Sequence, residues 1–194
     1  MRVTALILAG LALVVSLAAC GRETPAASFD PASACDSDGR FAGAYPDLEA
    51  LLPTTFEGKA PDSVDSGRNC TDGALGILTE SGVDGVRFAG STWALGGTSG
   101  VTVAVFEGDG LDALNLLAFY EDGARTARRT EKLQVSDTTV GGKDAERLDV
   151  LGSDGTGQTI VTWPADAPGR VNVLLAADLG DARVAEALDA LGGD

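Results

Sequence analysis

Few residues in this chain are equipped for chemistry. Its 194 residues include three cysteines, one methionine and no histidine. Without imidazole there is no Ser-His-Asp or Cys-His nucleophile, no His zinc ligand and no His haem ligand. Carboxylates, guanidinium groups, hydroxyls and thiols remain. Four cations stand close together at Arg125, Arg128, Arg129 and Lys132. If one helix carries all four they share a face, where Arg forks suit a carboxylate or phosphate on a ligand or partner. The same placement also serves simply as cations at a helix C-terminus. Gly108-Asp109-Gly110-Leu111-Asp112-Ala113 follows an apolar strand and opens a helix, with the spacing of a dinucleotide-binding turn. Asp109 and Asp112 would set negative charge beside the phosphates. The stretch therefore reads as a helix cap, with Asp109 or Gly110 capping and Asp112 complementing the dipole. Asp36-Ser37-Asp38-Gly39 and Ser153-Asp154-Gly155-Thr156 touch on calcium-loop chemistry, yet neither completes an EF-hand, and turn formation accounts for both. No metal set and no cofactor are expected. Among 29 acidic residues no carboxylate pair stands out as a hydrolytic one.

The balance of 14 basic to 29 acidic residues, net −15, argues against nucleic acid as a partner. Aromatic residues make up 5% of the chain, too few for an extended sugar platform. Trp93, Trp163 and Tyr120 are the candidates to line an apolar groove, with core anchoring as the plainer role for both Trp.

The N-terminus sets the compartment. Residues 1–20 read MRVTALILAGLALVVSLAAC, with Arg2 before an apolar run and small residues after Ser16. That is the order of an export signal. The run from Val3 to Val15 is 13 residues, short of the roughly 20 that span a bilayer. Leu17-Ala18-Ala19-Cys20 sets an aliphatic and two small residues before a cysteine, and here the chain resembles the bacterial lipoproteins at their lipobox. The resemblance covers these 20 residues alone. It implies that residues 1–19 are removed and that Cys20 takes a diacylglyceryl thioether. The mature protein would then be lipid-anchored at the extracytoplasmic face of the cell membrane. Losing Arg2 takes the net charge from −15 to −16, so the lipid and not electrostatics must hold the membrane. In that oxidising compartment the two remaining thiols, Cys35 and Cys70, read as a disulfide, since no C-x-x-C points to redox or metal chemistry.

The elements that must position these groups follow from periodicity. Residues 20–40 are rich in Pro, Ala, Ser and Asp and read as the lipidated end and a tether. A single α+β domain is expected over 41–194. Helices are expected over Pro46–Leu52, Thr71–Ser81, Leu111–Arg129 and Asp181–Leu191. Strands are expected at Val86–Trp93, Val101–Val105, Leu133–Val140, Glu146–Leu151, Gln158–Trp163 and Arg170–Ala176. At an offset of 70 residues, Thr92-Trp93 matches Thr162-Trp163, and Val101 and Val103 match Val171 and Val173. Read as duplication, this gives two strand-strand-helix repeats; the alternative is two generic hairpins. The expected architecture is one antiparallel sheet of about six strands with helices packed on one face. The functional expectation is a non-enzymatic domain that binds an envelope protein or a small ligand. An exported hydrolase using carboxylates or Ser is the alternative.

Overall fold

The computed structural model describes residues 29–191. The leader, the lipobox and Cys20 lie outside the described residues. In chain order the elements are β1 (Gly39–Phe41), α1 (Pro46–Glu49), β2 (Ser63–Asn69), α2 (Asp72–Leu75) with a 3-10 turn (Gly76–Ser81), β3 (Val86–Gly96), β4 (Ser99–Glu107), α3 (Ala113–Thr126), β5 (Thr130–Val140), β6 (Lys143–Gly152), β7 (Gly157–Pro164), β8 (Arg170–Ala177) and α4 (Asp181–Leu191). All eight strands form one antiparallel sheet in the order β1-β2-β3-β4-β8-β7-β6-β5. Two four-stranded meanders thus meet at β4 and β8. Among the described residues no helix is long and apolar enough to cross a membrane.

The sheet exceeds the expected six strands by β1 and β2. β2 reads SVDSGRN, and its front-face positions beyond Val64 are Ser66 and Arg68, both buried. A strand whose inward residues are polar carries no hydrophobic alternation to detect.

Helices cover both faces, not one. Val184, Ala187 and Leu191 of α4 pack on the front face with Trp93, Val101, Val103, Trp163 and Leu174. α1 covers the same face beside it, seating Leu48 against Ala89 and Val105. Leu116 and Leu117 of α3 pack on the back face with Leu148, Ile160, Val171 and Val173. The offset-70 match fails in register for the same reason. Trp93 stands opposite Val101, whereas Trp163 stands opposite Asn172. One extra residue in the second hairpin turns Val171 and Val173 to the back, while Val101 and Val103 face front.

The stretch from Phe29 to Arg40, read from the sequence as tether, is packed against the sheet. Arg68 is 2% exposed and is satisfied by this strap. Its Nε donates to Ser37 O at 2.9 Å and its Nη1 to Ser33 O at 2.9 Å. Its guanidinium lies 4.9 Å over the Phe29 ring. Gly39 makes room for that ring, because a Cβ there would fall 1.8 Å from a Phe29 carbon. Asp38 closes the strap by accepting from Cys70 N at 2.6 Å and Thr71 N at 3.0 Å. Cys35 and Cys70 are disulfide-bonded, with Cα atoms 5.2 Å apart.

Candidate functional site

Side chains alternate across each strand, so every strand contributes to both faces. α3 packs over β5, β6, β7 and the near side of β8, and the back face of β2, β3 and β4 extends beyond it. On that open half, β3 presents Phe88, Gly90 and Thr92, and β4 presents Thr102, Ala104 and Phe106. These cross-strand neighbours form the floor and one wall of a trough of about 680 Å³. Phe119 and Tyr120 of α3 form the opposite wall, and Asp38, Arg40 and Asp65 form the rim. A smaller cavity of about 420 Å³, under the C-terminal part of α3, shares Phe119 and Tyr120 with it.

The four rings run in continuous contact. Phe88 and Phe106 lie 5.7 Å apart between centroids, Phe106 and Tyr120 6.4 Å, and Tyr120 and Phe119 5.6 Å. Each of these rings is half-buried. The floor is open because Gly90 lacks a side chain, and a Cβ there would meet its neighbours only at an ordinary 3.7 Å. Thr92 and Thr102 hydroxyls bond each other at 2.9 Å. The Tyr120 hydroxyl has no hydrogen-bond partner among the described residues, and burial pushes its pKa up. At the rim Arg40 Nε donates to Asp65 Oδ2 at 2.7 Å, and the guanidinium sits 5.8 Å over Phe88. The walls and floor therefore offer a large aromatic surface and one unpartnered hydroxyl, while the charged residues of the lining, Asp38, Arg40, Asp65 and Arg68, are hydrogen-bonded within the protein. The size and lining of the trough are those of a small-molecule site.

The front face of β5 and β6 is also uncovered, and its chemistry is different. Lys132, Gln134, Ser136, Arg147, Asp149 and Thr159 line a polar saddle of about 670 Å³. Arg147 grips Asp149 through Nε at 2.7 Å and Nη2 at 2.9 Å, and reaches Asp181 at 2.6 Å. Thr159 donates to Asp149 at 2.6 Å. Burial alone would raise the Asp149 carboxyl, but the hydrogen bonds from Arg147 and Thr159 outweigh it and hold the pKa below its ordinary value. Glu107 is likewise engaged between Arg87 and Arg170. There too the hydrogen bonds outweigh desolvation and lower the pKa.

The four sequence-predicted cations are not carried on one helix. Ala127 leaves helical geometry at φ −68°, ψ 129°, so α3 ends at Thr126 and not at Arg129. Arg125 pairs with Glu121 one turn back, Arg128 and Arg129 stand in the following turn, and Lys132 lies on β5. Arg129 approaches Asp154 at 3.8 Å. The Gly108–Ala113 stretch is a tight turn: a Cβ on Gly108 would fall 2.6 Å from the Gly85 carbonyl. Asp112, not Asp109 or Gly110, caps α3 through a reciprocal box with Asn115. In the two Asp-rich loops, Asp38 accepts from the backbone of Cys70 and Thr71, and Asp154 accepts from Thr156. Both Trp are core residues at 2% exposure on the front face, so of the three groove candidates only Tyr120 reaches the trough. Phe88, Phe106 and Phe119 were missed. Arg87–Phe88–Ala89 reads as ordinary alternation, and only the position of α3 reveals that the Phe88 side lacks a cover.

No family model matches the chain, and neither the curated proteins nor the solved structures contain a match to it.

Proposed function

We propose that this protein is a lipid-anchored binding domain of the cell envelope, with the aromatic trough on the back face as its ligand site. The lipobox-like Leu17-Ala18-Ala19-Cys20 supports attachment at the extracytoplasmic face through Cys20. One observation carries the assignment of the site: an uncovered sheet face is lined with half-buried rings, although solvent-facing sheet surface is ordinarily polar. The carboxylates nearest the trough are committed to Arg40 and to the backbone of Cys70 and Thr71, which favours binding over hydrolysis. Two measurements test the reading. Cys20→Ser abolishes incorporation of radiolabelled palmitate; continued labelling refutes the anchor. N-phenyl-1-naphthylamine, a neutral fluorescent amphiphile, brightens on the purified protein, and Gly90→Val, which fills the trough floor, removes the enhancement. An unchanged enhancement in that variant places apolar binding elsewhere.

A further inference from the structure

The trough's position along the chain narrows its ligand. The rim is built by Asp38, Gly39 and Arg40, the end of the strap that begins at Phe29. The Phe29 ring packs on Gly39 and lies 5.2 Å from the Phe41 ring, so the start of the strap is in direct contact with the rim. Eight residues separate Cys20 from Phe29, and a fully extended chain of that length reaches no more than about 30 Å. A domain anchored through Cys20 therefore keeps the Phe29 end of the strap, and the Asp38–Arg40 rim it leads into, within reach of the bilayer surface. What lies within reach there in quantity is phospholipid.

We propose that the trough takes an acyl chain of a bilayer phospholipid, with the headgroup left at the Arg40 rim. This rests on the lipid-anchored reading above. The lining matches a hydrocarbon occupant. Four contiguous rings and the bare floor at Gly90 and Ala104 offer apolar surface, and the charged residues of the lining, Asp38, Arg40, Asp65 and Arg68, are already hydrogen-bonded within the protein. A second cavity of about 420 Å³ under the C-terminal part of α3 shares Phe119 and Tyr120 with the trough and lies beside it. Tyr120 offers one hydroxyl, enough for an ester carbonyl and too little for a sugar or a peptide backbone. At the mouth, the Arg40 side chain is 61% exposed and supplies a cation for a phosphodiester, while Asp65 and Asp38 keep the rim from being uniformly basic. Elsewhere the net charge of −16 opposes an anionic membrane, so the anchor favours capture by bringing the mouth to the lipid.

The test uses the full-length protein purified from membranes and mixed with phosphatidylcholine vesicles containing a few per cent of a phosphatidylglycerol that bears a diazirine on its acyl chain. After illumination, crosslinked tryptic peptides are mapped by mass spectrometry, and the mass of the N-terminal peptide reports lipid on Cys20. Residues 88–125 form one tryptic peptide holding every ring of the trough. The expected result is crosslinking concentrated in that peptide, falling at least fivefold in Gly90→Val and in Thr102→Phe, with the N-terminal peptide's crosslinking unchanged. Crosslinks confined to the N-terminal peptide, or equal in wild type and both variants, overturn the proposal while a lipidated Cys20 leaves the anchor standing. Trough crosslinks on a protein whose Cys20 carries no lipid refute the anchor and keep the acyl-chain assignment. Absence of both defeats both.

Discussion

Each half of the sheet leaves one face uncovered, and the two uncovered faces are opposite in character. The β5–β6 half exposes Lys132, Gln134, Ser136, Arg147 and Asp149, with Arg147 paired to Asp149 and Asp181 and the surface ready for water. The β2–β4 half exposes Phe88 and Phe106, with Phe119 and Tyr120 beside them. Both surfaces belong to one sheet, face the same solvent and enclose similar volumes, about 670 and 680 Å³. Folding alone would make them alike. The polar half is what a solvated face becomes when nothing else is required of it. The aromatic half departs from that pattern, and such departures are where function is to be sought.

If the comparison is right, the largest effects belong to the devices that cover each half, not to the uncovered surfaces. The Cys35–Cys70 bridge has a sequence separation of 35, so its replacement by two serines is expected to cost about 3 to 4 kcal/mol on the loop-entropy model. Chemical denaturation checks the magnitude. Hydrogen exchange checks the location: β1, β2 and the strap lose protection, whereas β5–β8 keep theirs. A uniform loss would show that the two halves do not behave as separate covers. Arg68→Ala attacks the same strap by leaving the Ser33 and Ser37 carbonyls without their buried donor, and about 3 kcal/mol is expected.

A matched pair then separates covered from uncovered positions on the back face itself. Ile160 lies beneath α3 at 2% exposure, and Ile160→Thr is expected to cost about 3 kcal/mol through lost packing and a buried hydroxyl. Phe88 is half-buried on the open part of the same face, and Phe88→Thr is expected to cost about 1 kcal/mol, since Thr suits an exposed strand. Urea midpoints of the two variants decide it. Equal losses would make Phe88 an ordinary core residue and dissolve the distinction on which the site rests.

The polar half should respond to acid more than to mutation. Asp149 in the saddle, and Glu107 and Asp38 outside it, all have pKa values lowered in the folded state, where hydrogen bonds to the ionised form outweigh desolvation. A lowered carboxylate contributes stability above its unfolded pKa, and that contribution disappears as pH falls through the folded value. Stability is therefore expected to be flat from pH 7 to about 5 and to decline below about 4, the ordinary Asp and Glu range. Arg147→Met should shallow the decline while costing only about 1 kcal/mol at neutral pH, because its partners Asp149 and Asp181 are partly solvated. Thermal melts across the acid range measure both. An acid limb unchanged in Arg147→Met would show that the saddle's ion pairs do not contribute to it.

The sequence carried much of the fold and little of the site, for reasons visible in single residues. β3 to β8 are legible because positions such as Val101, Val103 and Val105 alternate against solvent or cover, and α4 because Val184, Ala187 and Leu191 recur at helical spacing. β2 is hidden because Arg68 and Ser66 are buried by partners far along the chain. The Trp93 and Trp163 match pointed to a duplicated unit, but one residue of turn length reverses a face and leaves no trace in the match itself. The trough is a surface left uncovered by α3, and an uncovered surface has no local signature. The cationic cluster shows the converse. Four charges expected on one helix face are not held there, because a single extended residue, Ala127, ends the helix before Arg128.

The smallest stability effect is the sharpest test of the aromatic half. Tyr120→Phe removes only a hydroxyl, one whose burial pushes its pKa up with no hydrogen bond to offset the cost. A buried hydroxyl engaged in the fold would cost roughly 1 to 3 kcal/mol to delete. An unengaged one should cost nothing, so the variant is expected to stay within about 0.5 kcal/mol of wild type. The Phe106 and Phe119 packing against the ring is retained in either case. Affinity for N-phenyl-1-naphthylamine, whose single amine donates and does not accept, should also hold, whereas an ester-bearing phospholipid should bind several-fold more weakly. Loss of stability would assign the hydroxyl to the fold. Equal loss for both probes would assign it to the shape of the trough. Loss for the ester alone identifies Tyr120 as the hydrogen-bond donor that an otherwise apolar site presents to its ligand.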